Sequence, residues 1–286
     1  MNLIEDVIPR RRRRRWLWYA STAFKKHVHV TYDGGLDLWS PVKNFTARQT
    51  FVAGYRDPAV FAWLENFLMP GMTVFDVGAN VGVYALFIAR RIGPSGVCYA
   101  FEPNPDLRKF LEENKKSNRL ENIDLNFVGT GETKSLMEFV DHRANIGQNH
   151  IAGGGEASKA TRKVPIVRLD DFVEEHAIEN IDFVKMDIEG FELQALRGFK
   201  RTMERCKKII VHTEIEPRHM KRYGNSPELL MELMQGLGFI GHALTHDGFS
   251  PIDATSKAKD VFWSRIPLSF PKESGVGGVE SLALAQ

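Results

Sequence analysis

Along the chain, short apolar runs bounded by turn residues alternate with stretches whose apolar positions recur three or four apart. The first pattern marks buried strands and the second amphipathic helices. His27 to Tyr32 alternates as a strand and stops at Asp33-Gly34-Gly35. Pro58 then opens a helix through Val60, Phe61, Leu64 and Phe67, which Pro70-Gly71 ends. Met72 to Asp76 is the first buried strand, and two glycines lead from it into a helix carrying Tyr84, Leu86, Phe87, Ile88 and Ile92.

The same alternation repeats. Val97 to Phe101 is a strand, and a helix follows with Asn104 as cap, Pro105 at its first position and an end near Asn118. Ile123 to Val128 is the next strand, and Lys134 to Val140 and Lys163 to Val167 are added strands flanking the polar, Gly-rich stretch from Asn145 to Thr161. An insertion of that length reads as a lid or binding loop. Leu169 to His176 is a short helix, Ile181 to Met186 a buried strand ending at Asp187, Glu192 to Cys206 a helix, and Ile209 to Thr213 a strand ending near Glu214. Ser226-Pro227-Glu228 opens another helix, followed by strands at Phe239 to Ala243 and Asp260 to Ile266. Strands alternating with helices predict an α/β fold with a mostly parallel, seven-stranded sheet, and the short connection before the last strand makes that strand antiparallel. The pattern divides into a basic arm (1–28), an N-terminal cap segment (29–70), the α/β domain (71–266) and a flexible tail (267–286).

Composition changes this picture in one place. Lys and Arg (38) nearly balance Asp and Glu (36), yet Arg10 to Arg15 is an unbroken arginine run. The apolar segment behind it, Trp16 to Phe24, falls short of the ~20 residues of a membrane span and shows no small-residue cleavage pattern. Such an arm is read either as a solvated basic extension or as a peripheral contact with an anionic membrane surface. The two cysteines, Cys98 and Cys206, form no metal-spaced or redox pair, and fit a reduced, cytoplasmic protein.

Candidate chemistry collects at the strand ends. A dinucleotide turn requires a middle glycine where backbone meets pyrophosphate, but the stretch here is Gly78-Ala79-Asn80-Val81-Gly82. Asp76, just before it, offsets the positive field that a pyrophosphate needs at a helix N-terminus. Glu102 lies about 20 residues past Gly82, where nucleoside-binding α/β folds place the acid that meets ribose hydroxyls. A ligand with a ribose, a cationic portion and no diphosphate describes S-adenosylmethionine. A nicotinamide-dependent oxidoreductase is the alternative enzyme class, and a membrane-surface adaptor using the arginine run is the non-enzymatic one; nucleic acid is not expected as a partner.

These residues resemble those of the FkbM family of class I S-adenosylmethionine-dependent methyltransferases. The likeness is carried by Asp76 to Gly82, Phe101-Glu102-Pro103-Asn104, Leu169-Asp170-Asp171 and, most specifically, Val184 to Glu192 (Val-Lys-Met-Asp-Ile-Glu-Gly-Phe-Glu). The chain departs from the family at Val128-Gly129-Thr130-Gly131, on the adenine side. The resemblance implies a Rossmann-like class I methyltransferase fold and O-methylation of a hydroxyl on a sugar, lipid or polyketide-like small molecule. By resemblance and position, Asp76, Gly78, Asn80, Gly82 and Glu102 are the cofactor residues, with Asn80 expected to cap the next helix.

An alcohol is a poor nucleophile, so a base near the acceptor helps remove its proton. Asp187 is the first candidate, followed by Glu189 and Glu214, while His212 reads as a packed strand residue. These three acids could also hold Mg²⁺, but they lack the spacing of a metal loop, and no metal is assigned. Lys185, inside a buried strand, requires an acid partner. Glu192 is expected to serve the first turn of its helix through the dipole.

Overall fold

The computed structural model describes residues 14–269, apart from 16, 56, 143–144, 157–161, 246–247 and 254–255. Arg10 to Arg13 and most of the expected flexible tail therefore lie outside the described residues.

A helical segment at 17–22 (α1) precedes a hairpin of β1 (His27–Tyr32) and β2 (Leu36–Pro41). Two helices follow, α2 (Phe45–Ala53) and α3 (Pro58–Phe67). The α/β portion runs β3 (Thr73–Val77), α4 (Val83–Ile92), β4 (Val97–Phe101), α5 (Pro105–Ser117) and β5 (Ile123–Asn126). An inserted region contributes β6 (Gly129–Thr130), β7 (Ser135–Val140), β8 (His150–Ile151) and β9 (Arg162–Val167). The chain then continues through α6 (Leu169–Glu175), β10 (Phe183–Met186), α7 (Glu192–Arg197), α8 (Lys200–Arg205), β11 (Ile210–Glu214), α9 (Pro217–Met220) and α10 (Pro227–Gly236). It closes with β12 (Ile240–Thr245), β13 (Gly248–Pro251) and β14 (Asp260–Ser264).

The main sheet has the order β13-β12-β14-β11-β10-β3-β4-β5. Strands β5, β4, β3, β10 and β11 are mutually parallel, and β14 is antiparallel to both neighbours. This is the expected Rossmann-like sheet of seven strands with its last strand reversed, plus β13 as a short eighth strand at the edge. The connections run outward from β3 to β5 and then return to β10 on the other side of β3. The switch point thus falls between β3 and β10, where ligands of open α/β sheets bind. Two apolar clusters sandwich the sheet. Trp63, Phe61, Phe87 and Phe183 belong to one, and Phe75, Phe101, Phe172 and Phe199 to the other.

The inserted strands do not extend this sheet. They form a separate one in the order β6-β9-β7-β8. Alternation along β2 and the helix α2 were not expected from the pattern, because Pro41 and the short polar spacing between 36 and 53 mask both. Helix α5 is capped as expected, with Asn104 Oδ1 accepting from Asp106 N at 3.0 Å, and Ser226 Oγ accepts from Leu229 N at the start of α10. A cap of this kind is worth about 1 kcal/mol.

The helix expected over Glu192 to Cys206 is instead two helices broken at Gly198. Its carbonyl accepts from Asp170 N, and the Asp170 carboxylate accepts from Arg201 N (3.1 Å) and Thr202 N (2.8 Å) to cap the second helix. Asp170 of the Leu-Asp-Asp motif is thereby a structural residue, buried among groups that it satisfies.

Asn114 joins the N-terminal hairpin to the α/β core. Fully buried on α5, it accepts from Trp39 N (2.6 Å) and donates to Trp39 O (2.9 Å) and Val81 O (2.8 Å). Asn114→Ala leaves these groups without partners, and each buried orphan costs on the order of 1–3 kcal/mol. Urea unfolding is expected to register a loss of about 2–3 kcal/mol in the variant.

Candidate functional site

Beyond the carboxyl ends of β3 and β10 lies a cleft of about 770 Å³, part of it open to solvent. Its floor is Val77 and Gly78, and Asn80 and Tyr84 rise from the turn into α4. One wall is Phe101, Glu102, Val128, Gly129 and Thr130; the opposite wall is Lys185, Asp187, Ile188, Glu189 and Phe191. Thr46 from α2 and Phe139, Gly147, Asn149, His150 and Ile151 from the inserted region complete it.

The turn's local chemistry follows from its residues. Gly78 has φ +82°, and a Cβ there would collide with the carbonyl oxygen of Asp187, so only glycine lets the two turns touch. Asn80, at φ 55°, is left-handed as well. It does not cap α4; Gly82 holds that position, and the Asn80 side chain instead accepts from Val81 N (2.8 Å) and from Asn44 of the N-terminal segment. Gly82 starts the helix without lining the cleft.

Asp76 is fully buried beneath this floor and is not part of the lining. Its Oδ1 lies 3.2 Å from Lys185 Nζ, its register partner on β10, and the same ammonium donates to Gly78 O at 2.9 Å. Burial pushes the Asp76 carboxyl upward, and the ammonium beside it pulls it back. The expected acid partner of Lys185 is therefore the acid assigned to the cofactor. Asp76 thereby supports the floor of the cleft from below, through Lys185 and Gly78.

Glu102 faces the cleft. Oε2 accepts from Asn80 N (2.9 Å) and Oε1 from Asn104 N (2.8 Å), which leaves one lone pair on each oxygen for ligand hydroxyls. Burial raises its pKa to about 7 against the pull of those two amides. Beside it, the hydroxyl of Thr130 is buried and finds no hydrogen-bond partner among the described residues. An orphaned polar atom in a cleft wall is a group waiting for a ligand. Thr130 lies in the segment that departs from the family pattern, so no motif pointed to it.

On the opposite wall Asp187 N donates to Val77 O at 3.0 Å, pinning the loop after β10 to the loop after β3. Glu192 folds back over its own loop rather than acting only through the helix dipole. Its Oε1 accepts from Ile188 N (2.9 Å) and Gly190 N (3.3 Å), and burial lifts its pKa to about 7. The loop it shapes holds Glu189 at φ 59°, a costly conformation for a non-glycine residue that recurs at functional sites. Glu189 Oε2 lies 3.0 Å from His219 Nδ1, and burial keeps that imidazole below its usual pKa.

Asp187 and Glu189 are thus brought together in one wall. Glu214 is not: it ends β11 opposite Asp260 and lies outside the lining. His212 is a packed strand residue, stacked on Phe262 at 4.4 Å. Among the described residues, no group of three His, Cys, Asp or Glu side chains is arranged to hold a metal ion.

Sequence reading also missed the groups that strap the cleft. His150 lines it, with Nδ1 2.9 Å from Gln148 O and Nε2 3.3 Å from Glu156 Oε2. Arg222 reaches both sides, its Nε 3.4 Å from Glu156 Oε2 and its Nη1 donating to Glu189 O at 3.1 Å. Tyr223 OH donates to Ile151 O at 2.7 Å. The stretch from Asn145 to Thr161, read as a lid, does reach the cleft through its described part; which of its residues do so had no signal in the spacing.

The family model described as the methyltransferase FkbM domain matches residues 76–240. Among curated proteins, the chain is 24% identical over 162 residues to a hexuronic acid methyltransferase (AglP) of Haloferax volcanii, covering 56% of this chain and 64% of that one. It is 28% identical to a 2-O-methyltransferase (NoeI) of Sinorhizobium fredii, over 53% of this chain and 66% of the relative. It is also 28% identical to the 31-O-demethyl-FK506 methyltransferase FkbM of Streptomyces tacrolimicus, over 46% and 60%. The chain spans less than two thirds of the length of each of these relatives. The match covers the glycine turn, both cleft walls and most of the parallel sheet, more than half of the chain, and on that ground the chain belongs to the methyltransferase FkbM domain family.

Proposed function

We propose that the chain is an S-adenosylmethionine-dependent O-methyltransferase acting on a hydroxyl of a sugar, lipid or polyketide-like small molecule. The observation that carries this reading is the convergence in one cleft of the Gly78 turn, the Glu102 carboxylate and the partnerless Thr130 hydroxyl, faced by Asp187 and Glu189.

The cofactor fits these groups. Glu102 has free lone pairs for two ribose hydroxyls, and Thr130 Oγ1 is available to the adenine side. Three carboxyl groups, Glu102, Asp187 and Glu189, line the cleft together with Lys185, which pairs with Asp76, an arrangement that suits a cationic ligand. Bound there, the cofactor supplies a methyl group on a sulfonium. The chain's own task is to align an acceptor, exclude water and take up a proton. Asp187 is the group proposed to receive the acceptor's hydroxyl proton. Glu189, oriented by His219, hydrogen-bonds the acceptor beside it. Glu214 has no part in this reading.

The acceptor class rests on the relatives, whose names specify a hexuronic acid, a 2-O position and a 31-O-demethyl compound. Thr46 and the strap from Gly147 to Ile151 are the proposed determinants of acceptor choice, since they line the cleft outside the sequence motifs. The protein is proposed to work in the cytoplasm, with peripheral membrane contact through Arg10 to Arg15. No helix among the described residues is long and apolar enough to cross a membrane.

Titration with S-adenosylhomocysteine is expected to give saturable heats, and Thr130→Val to weaken binding about tenfold with little change in melting temperature. Stabilisation by a nicotinamide dinucleotide but not by S-adenosylhomocysteine overturns the reading.

Affinity also depends on pH through Glu102. Burial holds its carboxyl neutral below about 7, whereas ligand hydroxyls bind the ionised form. Affinity should therefore rise as pH increases through about 7 and level off above it, and Glu102→Gln should flatten that profile.

Asp187→Ala should lower the rate of labelled methyl transfer by roughly 10²–10⁴ while leaving S-adenosylhomocysteine binding within about threefold. Equal losses in binding and turnover would instead assign Asp187 to the cofactor.

A further inference from the structure

Charge is segregated along this chain. Residues 10 to 26 hold eight of its 38 Lys and Arg and none of its 36 Asp and Glu, so the remaining 30 cations face 36 acids. A nearly neutral protein is thus a strongly basic N-terminal segment on an acidic body.

The described part of that segment has a fixed orientation. Trp18 is buried, with its ring 5.5 Å from Phe51 of α2, and Thr22 Oγ1 donates back to Trp18 O at 2.6 Å. Anchoring Trp18 turns Leu17 and Tyr19 outward, and Phe24 just beyond is wholly exposed at 102%. Arg14, Arg15, Lys25 and Lys26 are exposed around them.

Helix α2 extends the same face. Arg48 lies over Phe45 (4.6 Å) and Tyr19 (5.8 Å) and donates to Tyr19 OH at 2.7 Å, while Phe45 is itself exposed. Tyr19, Arg48 and Phe45 thus form one cluster of cation and rings across two elements joined by the Trp18–Phe51 and Arg48–Tyr19 contacts, and Leu17 and Phe24 are exposed on the same N-terminal segment.

We propose that this composite face docks on an anionic lipid bilayer. Its arginines and lysines match headgroup phosphates and carboxylates, and Leu17, Tyr19, Phe24 and Phe45 enter the boundary between headgroups and acyl chains. A polyanion such as RNA would use the cations and could stack on the rings, but it gives no reason for Leu17 or for a Phe24 that nothing covers. The apolar members decide for the bilayer.

The face adjoins the cleft. Phe45 is next to Thr46, which lines it, and Asn44 donates to Asn80 of the turn. Docking therefore sets the rim of the cleft against the membrane surface. This inference rests on the membrane contact of the proposed function, to which it gives a face and a partner, and not on methyl transfer.

Flotation of the full chain with vesicles tests it. The protein should float with phosphatidylcholine vesicles containing roughly one-third phosphatidylserine and stay behind with phosphatidylcholine alone. Raising salt from about 0.05 to about 0.5 M should reduce the bound fraction about tenfold. The triple variant Leu17→Ser, Tyr19→Ser, Phe24→Ser keeps every charge and the Trp18 anchor. It should bind anionic vesicles about tenfold more weakly with at most a small drop in melting temperature from the lost Arg48–Tyr19 bond, and Arg14→Glu with Arg15→Glu should weaken binding further.

Equal binding to neutral vesicles, or full binding by the triple variant, overturns the proposal. So does a homopolymeric RNA that displaces the protein from vesicles while binding the triple variant as tightly as the parent, which would make the face a nucleic-acid site. None of these outcomes touches S-adenosylhomocysteine binding, so the two readings fail separately.

Discussion

The site depends on an ion pair of which one member, Lys185, lines the cleft and the other, Asp76, lies buried beneath it. Lys185 and Asp76 face each other across β10 and β3, both buried, at the one place where the sheet's connections diverge. Taking two charges out of water is expensive, and such a pair holds only where further hydrogen bonds satisfy it. Here the ammonium also donates to Gly78 O, so the pair fixes the floor of the cleft from below. Removing one partner from such a pair costs on the order of 3–5 kcal/mol, because the other is left charged in an apolar interior. That penalty makes the pair a guarantee of register between the two strands that form the switch point.

Around this centre, the carboxylates divide by environment. Asp170 and Glu192 spend their oxygens on backbone amides and shape helix and loop. Glu102 does both, accepting from two amides while facing the cleft. Asp187 and Glu189 stand at the opposite wall, the side proposed for the acceptor. An acid at a strand end is thus a position, and its task is decided by which backbone donors lie within reach.

The parallel sheet was legible because each buried strand is a continuous apolar run closed by turn residues. The glycine turn was legible because a left-handed backbone in close contact leaves few residue choices. What remained hidden arises from long-range contact. The break at Gly198 depends on Asp170, nearly 30 residues earlier, and Asn80 looked like a cap because its true partner, Asn44, lies in another segment. Thr130 and His150 belong to strands of two residues each, too short to leave a periodic trace. Glu214 looked equivalent to Asp187 by strand position, but distance from the switch point separates them.

The contact between Gly78 and the Asp187 carbonyl has a consequence for how the two walls of the cleft move. The loop on the glycine side and the loop bearing Asp187 share one backbone surface, joined further by the bond from Asp187 N to Val77 O. Neither can shift without displacing the other. Whatever orders one loop prepays the ordering of its neighbour, and by thermodynamic reciprocity the benefit runs equally in both directions. The two walls of the cleft are therefore mechanically joined at the single place where a Cβ is missing.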